Sequence, residues 1–308
     1  MRKDIEFRTG DGTVLRGWFY EARNASGPAA IVVMAHGYSG VKGSLTKYAD
    51  VFTAAGLAVM LYDHRGFGSS DGAVRQEIDP HQQVADMRDA ITFARTLPGI
   101  DPERLGVWGS SFAGGHAITL GASDHRVKCA VAQVPMISGH ETVRRMFLAN
   151  RATKLDKLFT EDRLNRMNGA EPMRIKVFST EDEICSLPPQ VSARFIKASE
   201  DEDPLWKNEV TLRSLELMGE YEPGAIIHLV DVTPILMIVG LRDTVTPADV
   251  ALEAYNRALE PKQLLTFPGG HFAAYYQFFD QTSAAARDWF LQHLAADAEQ
   301  KAVPGKAA

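Results

Sequence analysis

The stretch Val107-Trp108-Gly109-Ser110-Ser111-Phe112-Ala113-Gly114-Gly115 restricts the fold of this chain more than any other. Leu105 to Trp108 reads as a buried strand, and Ala113 to Leu120, apolar and small, opens a helix. Between them the backbone must turn sharply, with a serine at the apex. A hydroxyl held there stands exposed above a sheet. The next backbone N–H lies at a helix N-terminus, where it meets a developing negative charge. The competing reading is a glycine-rich strand–helix turn without chemistry.

Two serines compete for the apex. So sharp a turn brings the residues at minus two and plus two together, so both must be small. Around Ser111 these are Gly109 and Ala113; around Ser110 they are Trp108 and Phe112, which collide. Ser111 is the candidate nucleophile.

The rest of the chain repeats strand and helix. Asp4 to Thr9 and Val14 to Tyr20 flank Gly10-Asp11-Gly12 as a hairpin. Ala29 to Ala35 is apolar throughout, as in a strand covered on both faces. Leu45 to Ala55 has helical spacing, Ala58 to Tyr62 reads as a strand, and Pro80 to Leu97 as an amphipathic helix. Lys128 to Val134, Pro234 to Val239 and Gln263 to Phe267 are further strands, and Gln281 to Leu294 a closing helix. Such alternation implies right-handed crossovers and a mostly parallel, twisted sheet flanked by helices.

The pattern breaks over residues 136–223, where charged helical stretches such as Arg151 to Asn168 alternate with Pro188-Pro189 and the acidic run Ser199-Glu200-Asp201-Glu202-Asp203. No buried strand stands out there, and Arg174 to Phe178 is ambiguous. The expected organisation is a core of residues 1–135 and 224–297, a mainly helical cap of 136–223 and a frayed tail of 298–308. The acidic run reads as a solvated loop.

A serine hydroxyl at neutral pH needs a histidine in hydrogen-bond reach and a group to orient that histidine. Two segments supply them, each just past a predicted strand: Gly240-Leu241-Arg242-Asp243-Thr244-Val245-Thr246-Pro247 and Pro268-Gly269-Gly270-His271-Phe272. The carboxyl ends of parallel strands share one edge, so Ser111, Asp243 and His271 converge there. Taken singly, Asp243 reads as a turn cap and His271 as a satisfied loop histidine. Three strand ends in the order serine, acid, histidine are far more specific. The oxygen anion of acyl transfer needs donors. Phe112 N–H is one, and Tyr38 N–H, freed by the tight turn at Gly37 after the Ala29–Ala35 strand, is the second. His36 and His64 read as structural, and His140 as a cap residue near the substrate.

With 308 residues, Lys+Arg at 33 against Asp+Glu at 39 and a net charge of −6, the chain offers no broad basic surface for nucleic acid. Its longest apolar run, Ala29 to Ala35, cannot span a bilayer, and Met1 to Glu6 lacks a signal-peptide core. Cys129 and Cys185 have no metal-ligand spacing. A cytoplasmic protein is expected, without membrane contact; a homodimer through the cap or an edge strand is compatible with the sequence.

His36-Gly37, Asp63-x-Arg65-Gly66-x-Gly68-x-Ser70, Gly109-x-Ser111, Asp243 and His271 together resemble the α/β-hydrolase superfamily. Ala113 stands where the usual Gly-x-Ser-x-Gly has its second glycine. Within the superfamily the chain is similar to the dienelactone-hydrolase and S15-peptidase-like serine hydrolases. Trp206-x-Asn208-x-Val210-Thr211-x-Arg213-Ser214-x-Glu216 with Tyr221-x-Pro223 resembles a subgroup related to polyketide hydrolases and transferases. The resemblance implies an α/β-hydrolase fold, a Ser–His–Asp triad, no metal and no organic cofactor. It also implies an acyl-enzyme formed from an ester, thioester, lactone or amide, a small-molecule substrate. Acyl transfer or carbon–carbon cleavage would use the same triad; a non-catalytic binding protein usually lacks a triad member, and none is missing here. Met136, His140, Met146, Phe147 and Trp206 of the cap, with Tyr38, Phe272 and Tyr275 of the core loops, are expected to line a pocket for a medium-sized hydrophobic acyl group.

Overall fold

The computed structural model describes residues 2–147, 149–181, 183–187, 200, 201 and 203–296, with residues 149–152 described by backbone alone. The tail of 298–308, Pro188-Pro189, Ser199 and Glu202 therefore lie outside the described residues.

The strands of the core follow from the apolar runs: β1 (Arg2–Arg8), β2 (Val14–Tyr20), β3 (Ala29–Ala35), β4 (Ala58–Tyr62), β5 (Ile100–Ser110), β6 (Cys129–Gln133), β9 (Ile235–Gly240) and β10 (Lys262–Phe267). They form one sheet in the order β1-β2-β4-β3-β5-β6-β9-β10. β1 pairs antiparallel to β2 and β2 to β4; every other pairing is parallel. β5 is longer than its apolar centre, because Ile100 pairs with Ala29 of β3 before a register shift that takes up the polar residues 101–104.

Every residue of β3 is buried, and its side chains alternate between two cores. Ile31, Val33 and Ala35 face α2 (Pro80–Ala94), α3 (Phe112–Ser123) and α7 (Ala248–Arg257). Val32 and Met34 face α1 (Thr46–Ala54) and α8 (Phe279–His293). The result is three layers. Gly106 on β5 makes room for α8: a Cβ there would lie 2.7 Å from the Phe290 ring, which is fully buried. Burial of such a ring is worth about 2–3 kcal/mol.

Between β6 and β9 the chain leaves the sheet. It forms α4 (Gly139–Met146), α5 (Ala149–Met167) and α6 (Leu212–Gly219), and a short antiparallel pair, β7 (Arg174–Lys176) with β8 (Glu209–Thr211). The ambiguous stretch Arg174 to Phe178 thus begins with a short strand, β7, which is exposed at both ends rather than buried. Its partner lies some thirty residues on, so no local pattern announced the pairing. The motif residues in this region act as anchors. Asn208 Oδ1 accepts the Phe178 N–H at 2.9 Å, and Thr211 caps α6. Ile78 N–H donates to Ser214 Oγ at 2.8 Å, and Arg213 pairs with Glu77 at 2.6 Å. The insertion is thus tied to the loop after β4.

From β3 the chain moves to β4 on one side and then returns to β5 on the other. That switch point opens a crevice beyond the carboxyl ends of β3 and β5, where ligands bind in open α/β sheets.

Candidate active site

At the end of β5, Ser111 has φ 59° and ψ −121°, a conformation unfavourable for any residue but glycine. Backbone bonds hold it there: Ser111 N–H donates to Gln133 O and Met136 N–H donates to Ser111 O, both at 2.9 Å. A Cβ on Gly109 would lie 1.9 Å from Ala113 O. The turn excludes even one methyl group at that position, which is why a glycine stands two residues before the apex. Phe112 begins α3, so its N–H is among those a helix leaves unpaired.

Two loops from other strand ends complete the arrangement. His271 Nε2 accepts from Ser111 Oγ at 2.9 Å, and its Nδ1–H donates to Asp243 Oδ2 at 2.7 Å. His271 and Asp243 are buried, each about 5% exposed, so water competes weakly for these bonds. The second oxygen, Asp243 Oδ1, accepts N–H bonds from Val245 and Thr246, each 2.9 Å. Asp243 is thus a turn cap on one oxygen and the histidine's partner on the other.

After β3, a Cβ on Gly37 would lie 2.9 Å from Ser111 Cβ and 3.5 Å from Ser111 Oγ. Only glycine permits that approach, and it brings the Tyr38 backbone beside the serine. The Tyr38 and Phe112 rings meet edge to face at 5.5 Å. The Asp63 motif buttresses this loop from below. Asp63 accepts from Lys42 N and Ser69 N at 2.8 and 2.9 Å and pairs with the buried Lys42 ammonium at 2.5 Å.

His36, His64 and His116 meet edge to face beside the loop, with successive centroids 4.6 and 5.7 Å apart. His36 donates from Nδ1 to Gly37 O and accepts the His64 N–H on Nε2. His116 binds Gln83 and Tyr221. Burial pushes the His116 imidazole down to about 3, with His36 and His81 adding to the effect; burial also lowers His36 and His64. Below the ordinary histidine value near 6.5 the unfolded chain takes protons that the folded protein refuses. The contribution of these histidines to stability is therefore fully present above about pH 7 and is lost progressively as pH drops toward 3. At pH 5 His116 alone costs about 2 kcal/mol. Urea midpoints at pH 7.5 and pH 5 check this: the midpoint is expected to fall, and an unchanged one would show that the trio titrates normally.

A cavity of about 150 Å³ opens beside Ser111 and His271. Of the residues expected around it, Tyr38, Trp206, Phe272 and Tyr275 line it. Met136 and Phe147 are instead buried in the cluster that joins insertion to core, with Met146 packed against it. Met136 is pinned there because its N–H grips Ser111. His140 is exposed, its N–H donating to Glu222. Much of the remaining wall comes from places the sequence did not flag: Val41 and Leu45 just before α1, Tyr48 within it, Phe279 at α8, and Phe178 and Leu187 of the insertion. The period of Leu45, Tyr48 and Phe52 signals a buried helix face but not that its first turn borders the site. Asp203 of the acidic run also lines the cavity, with Oδ2 2.1 Å from where a Gly43 Cβ would stand, so that run is not wholly solvated. Among the described residues no group of three His, Cys, Asp or Glu side chains is placed to hold a metal ion.

The chain matches, over residues 26–272, the family model described as Serine aminopeptidase, S33. A protein named Thiohydrolase from Eupenicillium brefeldianum is 31% identical over 272 residues, 85% of this chain and 84% of that one. Polyketide transferase grgF from Penicillium sp is 30% identical over 300 residues, 96% of this chain and 97% of the relative. The crystal structure of the α/β hydrolase GrgF from Penicillium sp. sh18 is similar with a TM-score of 0.83 and 27% identity, over 96% of this chain and 100% of that one.

Proposed function

The chain belongs to the serine aminopeptidase S33 family of α/β hydrolases, and from that premise we propose that it cleaves a thioester or ester of a medium-sized apolar acyl group through an acyl-enzyme on Ser111. The observation that carries this reading is the unbroken chain Ser111 Oγ to His271 Nε2 and His271 Nδ1 to Asp243 Oδ2, at 2.9 and 2.7 Å.

His271 takes the proton of Ser111 as the hydroxyl oxygen attacks the acyl carbon. Asp243 holds the imidazole in the tautomer that can accept at Nε2 and stabilises its charged form. The N–H groups of Tyr38 and Phe112 receive the anionic oxygen; one such donor is worth about 3 kcal/mol in the transition state. His271 then protonates the leaving thiolate or alkoxide. Water, deprotonated by the same imidazole, attacks the acyl-enzyme and frees Ser111.

The predominance of aromatic and aliphatic side chains around the cavity supports an apolar acyl group, and the relative named Thiohydrolase supports a thioester. Acyl transfer is the second reading, favoured by the relative named Polyketide transferase, and it differs only in what attacks the acyl-enzyme. Among the described residues no helix is long and apolar enough to cross a membrane. A reducing cytoplasm is in keeping with Cys129 and Cys185, both buried and neither in a disulfide among the described residues.

Incubation with a medium-chain acyl thioester and a thiol-trapping dye tests the reaction, with fluorophosphonate labelling mapped to Ser111. Free acid and thiol in equal amounts support hydrolysis, and a new ester or amide formed with an added alcohol or amine supports transfer. An inert, unlabelled protein overturns both.

A further inference from the structure

Thr246 stands where three parts of the site meet. Its Oγ1 lies 2.9 Å from Val134 O, 2.9 Å from Asp243 Oδ2 and 3.1 Å from His271 Nδ1. The residue is 3% exposed, so no solvent competes for these contacts. A hydroxyl carries a single proton, and here two acceptors stand at the same distance from it.

One of the acceptors belongs to a strained residue. Val134 has φ 37°, where a β-branched side chain is a genuine outlier. Strain of this kind persists only where surrounding bonds impose it. Val134 N–H donates to Ile238 O at 2.7 Å on one side, and Thr246 holds the carbonyl on the other. Val134 is also the middle of the strap that grips the nucleophile, since Gln133 O accepts the Ser111 N–H and Met136 N–H donates to Ser111 O. A single side-chain oxygen thereby joins the backbone that sets Ser111 to the carboxylate that sets His271.

We propose that Thr246 is a positioning residue that registers the Asp243–His271 pair against the nucleophile turn, its proton shared between the Val134 carbonyl and Asp243 Oδ2. The proposal rests on the triad reading given above. Loss of the hydroxyl has two consequences. The strap is released from the acid loop, so Ser111 and His271 lose their mutual alignment. Asp243 loses a donor, becomes the stronger acceptor, and holds the protonated imidazole more tightly.

Thr246→Val keeps the shape and removes the hydroxyl, whereas Thr246→Ser keeps the hydroxyl and removes the methyl. Rates are referred to active sites counted by fluorophosphonate titration, so that misfolded protein does not enter. Thr246→Val is expected to lower kcat roughly 10- to 100-fold with KM little changed, the size that small misplacements of reacting groups produce. The acid limb of its kcat/KM profile is expected to move to higher pH, and the far-downfield proton resonance of the His271–Asp243 bond to shift. Thr246→Ser is expected to restore most of the rate and the parental limb. Thr246→Ala serves the same purpose if Thr246→Val yields no folded protein. A hydroxyl-free variant with parental kcat, acid limb and resonance overturns the proposal. So does a Thr246→Ser variant as slow as Thr246→Val with an unmoved limb, since that would mark a packing role. An active, labelled parent with indifferent Thr246 variants strikes this proposal alone, whereas an inert parent strikes the triad reading beneath it.

Discussion

Ser111→Ala is expected to lower kcat on a thioester or ester by about 10⁴-fold or more while leaving the fold in place. The size follows from what is removed: with no nucleophile, only water held near the amides proposed to bind the anion, those of Tyr38 and Phe112, remains. The fold survives because the turn does not depend on the hydroxyl. Its backbone bonds to Gln133 and Met136 are kept, and alanine retains the Cβ that already fits beside Gly37. Steady-state kinetics with circular dichroism and melting temperature check both halves. A variant within tenfold of the parent would remove Ser111 from the mechanism; a collapsed melting temperature would mean that the hydroxyl also holds the turn.

Asp243→Asn is the second large effect, about 10⁴-fold in kcat. The substituted amide has one oxygen and one NH₂, and the site treats the two ends differently. The end at Oδ1 faces two N–H donors, from Val245 and Thr246, so an NH₂ there would oppose both. The amide oxygen therefore stays at that end and the NH₂ turns toward His271 Nδ1. Nδ1 must then accept, the ring proton moves to Nε2, and Nε2 can no longer take the proton of Ser111. The turn itself keeps its caps, so stability should change little. Retention of a tenth or more of parental kcat would show that His271 is oriented by other contacts.

The sequence made some parts of this molecule readable and hid others for definable reasons. The strand–turn–helix at Ser111 is local, and the size rule that chose Ser111 over Ser110 reappears as the missing space for a Gly109 Cβ. Asp243 and His271 were legible because a parallel sheet delivers all its strand ends to one rim. The pocket was not. Met136, Met146 and Phe147 are apolar and sit near the start of the insertion, yet they pack between insertion and core. The residues that replace them, such as Leu45 and Phe279, approach Ser111 only through tertiary packing. Thr246 was hidden for a different reason. Asp-x-x-Thr is an ordinary turn signal, and only the fold brings Val134 within reach of its hydroxyl.

The insertion contributes no side chain to the Ser111–His271–Asp243 relay, yet Phe178, Leu187, Asp203 and Trp206 line the chamber. The bond-breaking groups therefore lie wholly on the core, whereas the chamber that receives the substrate is walled by core and insertion together. Exchanging residues of the insertion alters diet without rebuilding the engine, provided its docking pairs, Arg213 with Glu77 and Ser214 with Ile78, are left in place.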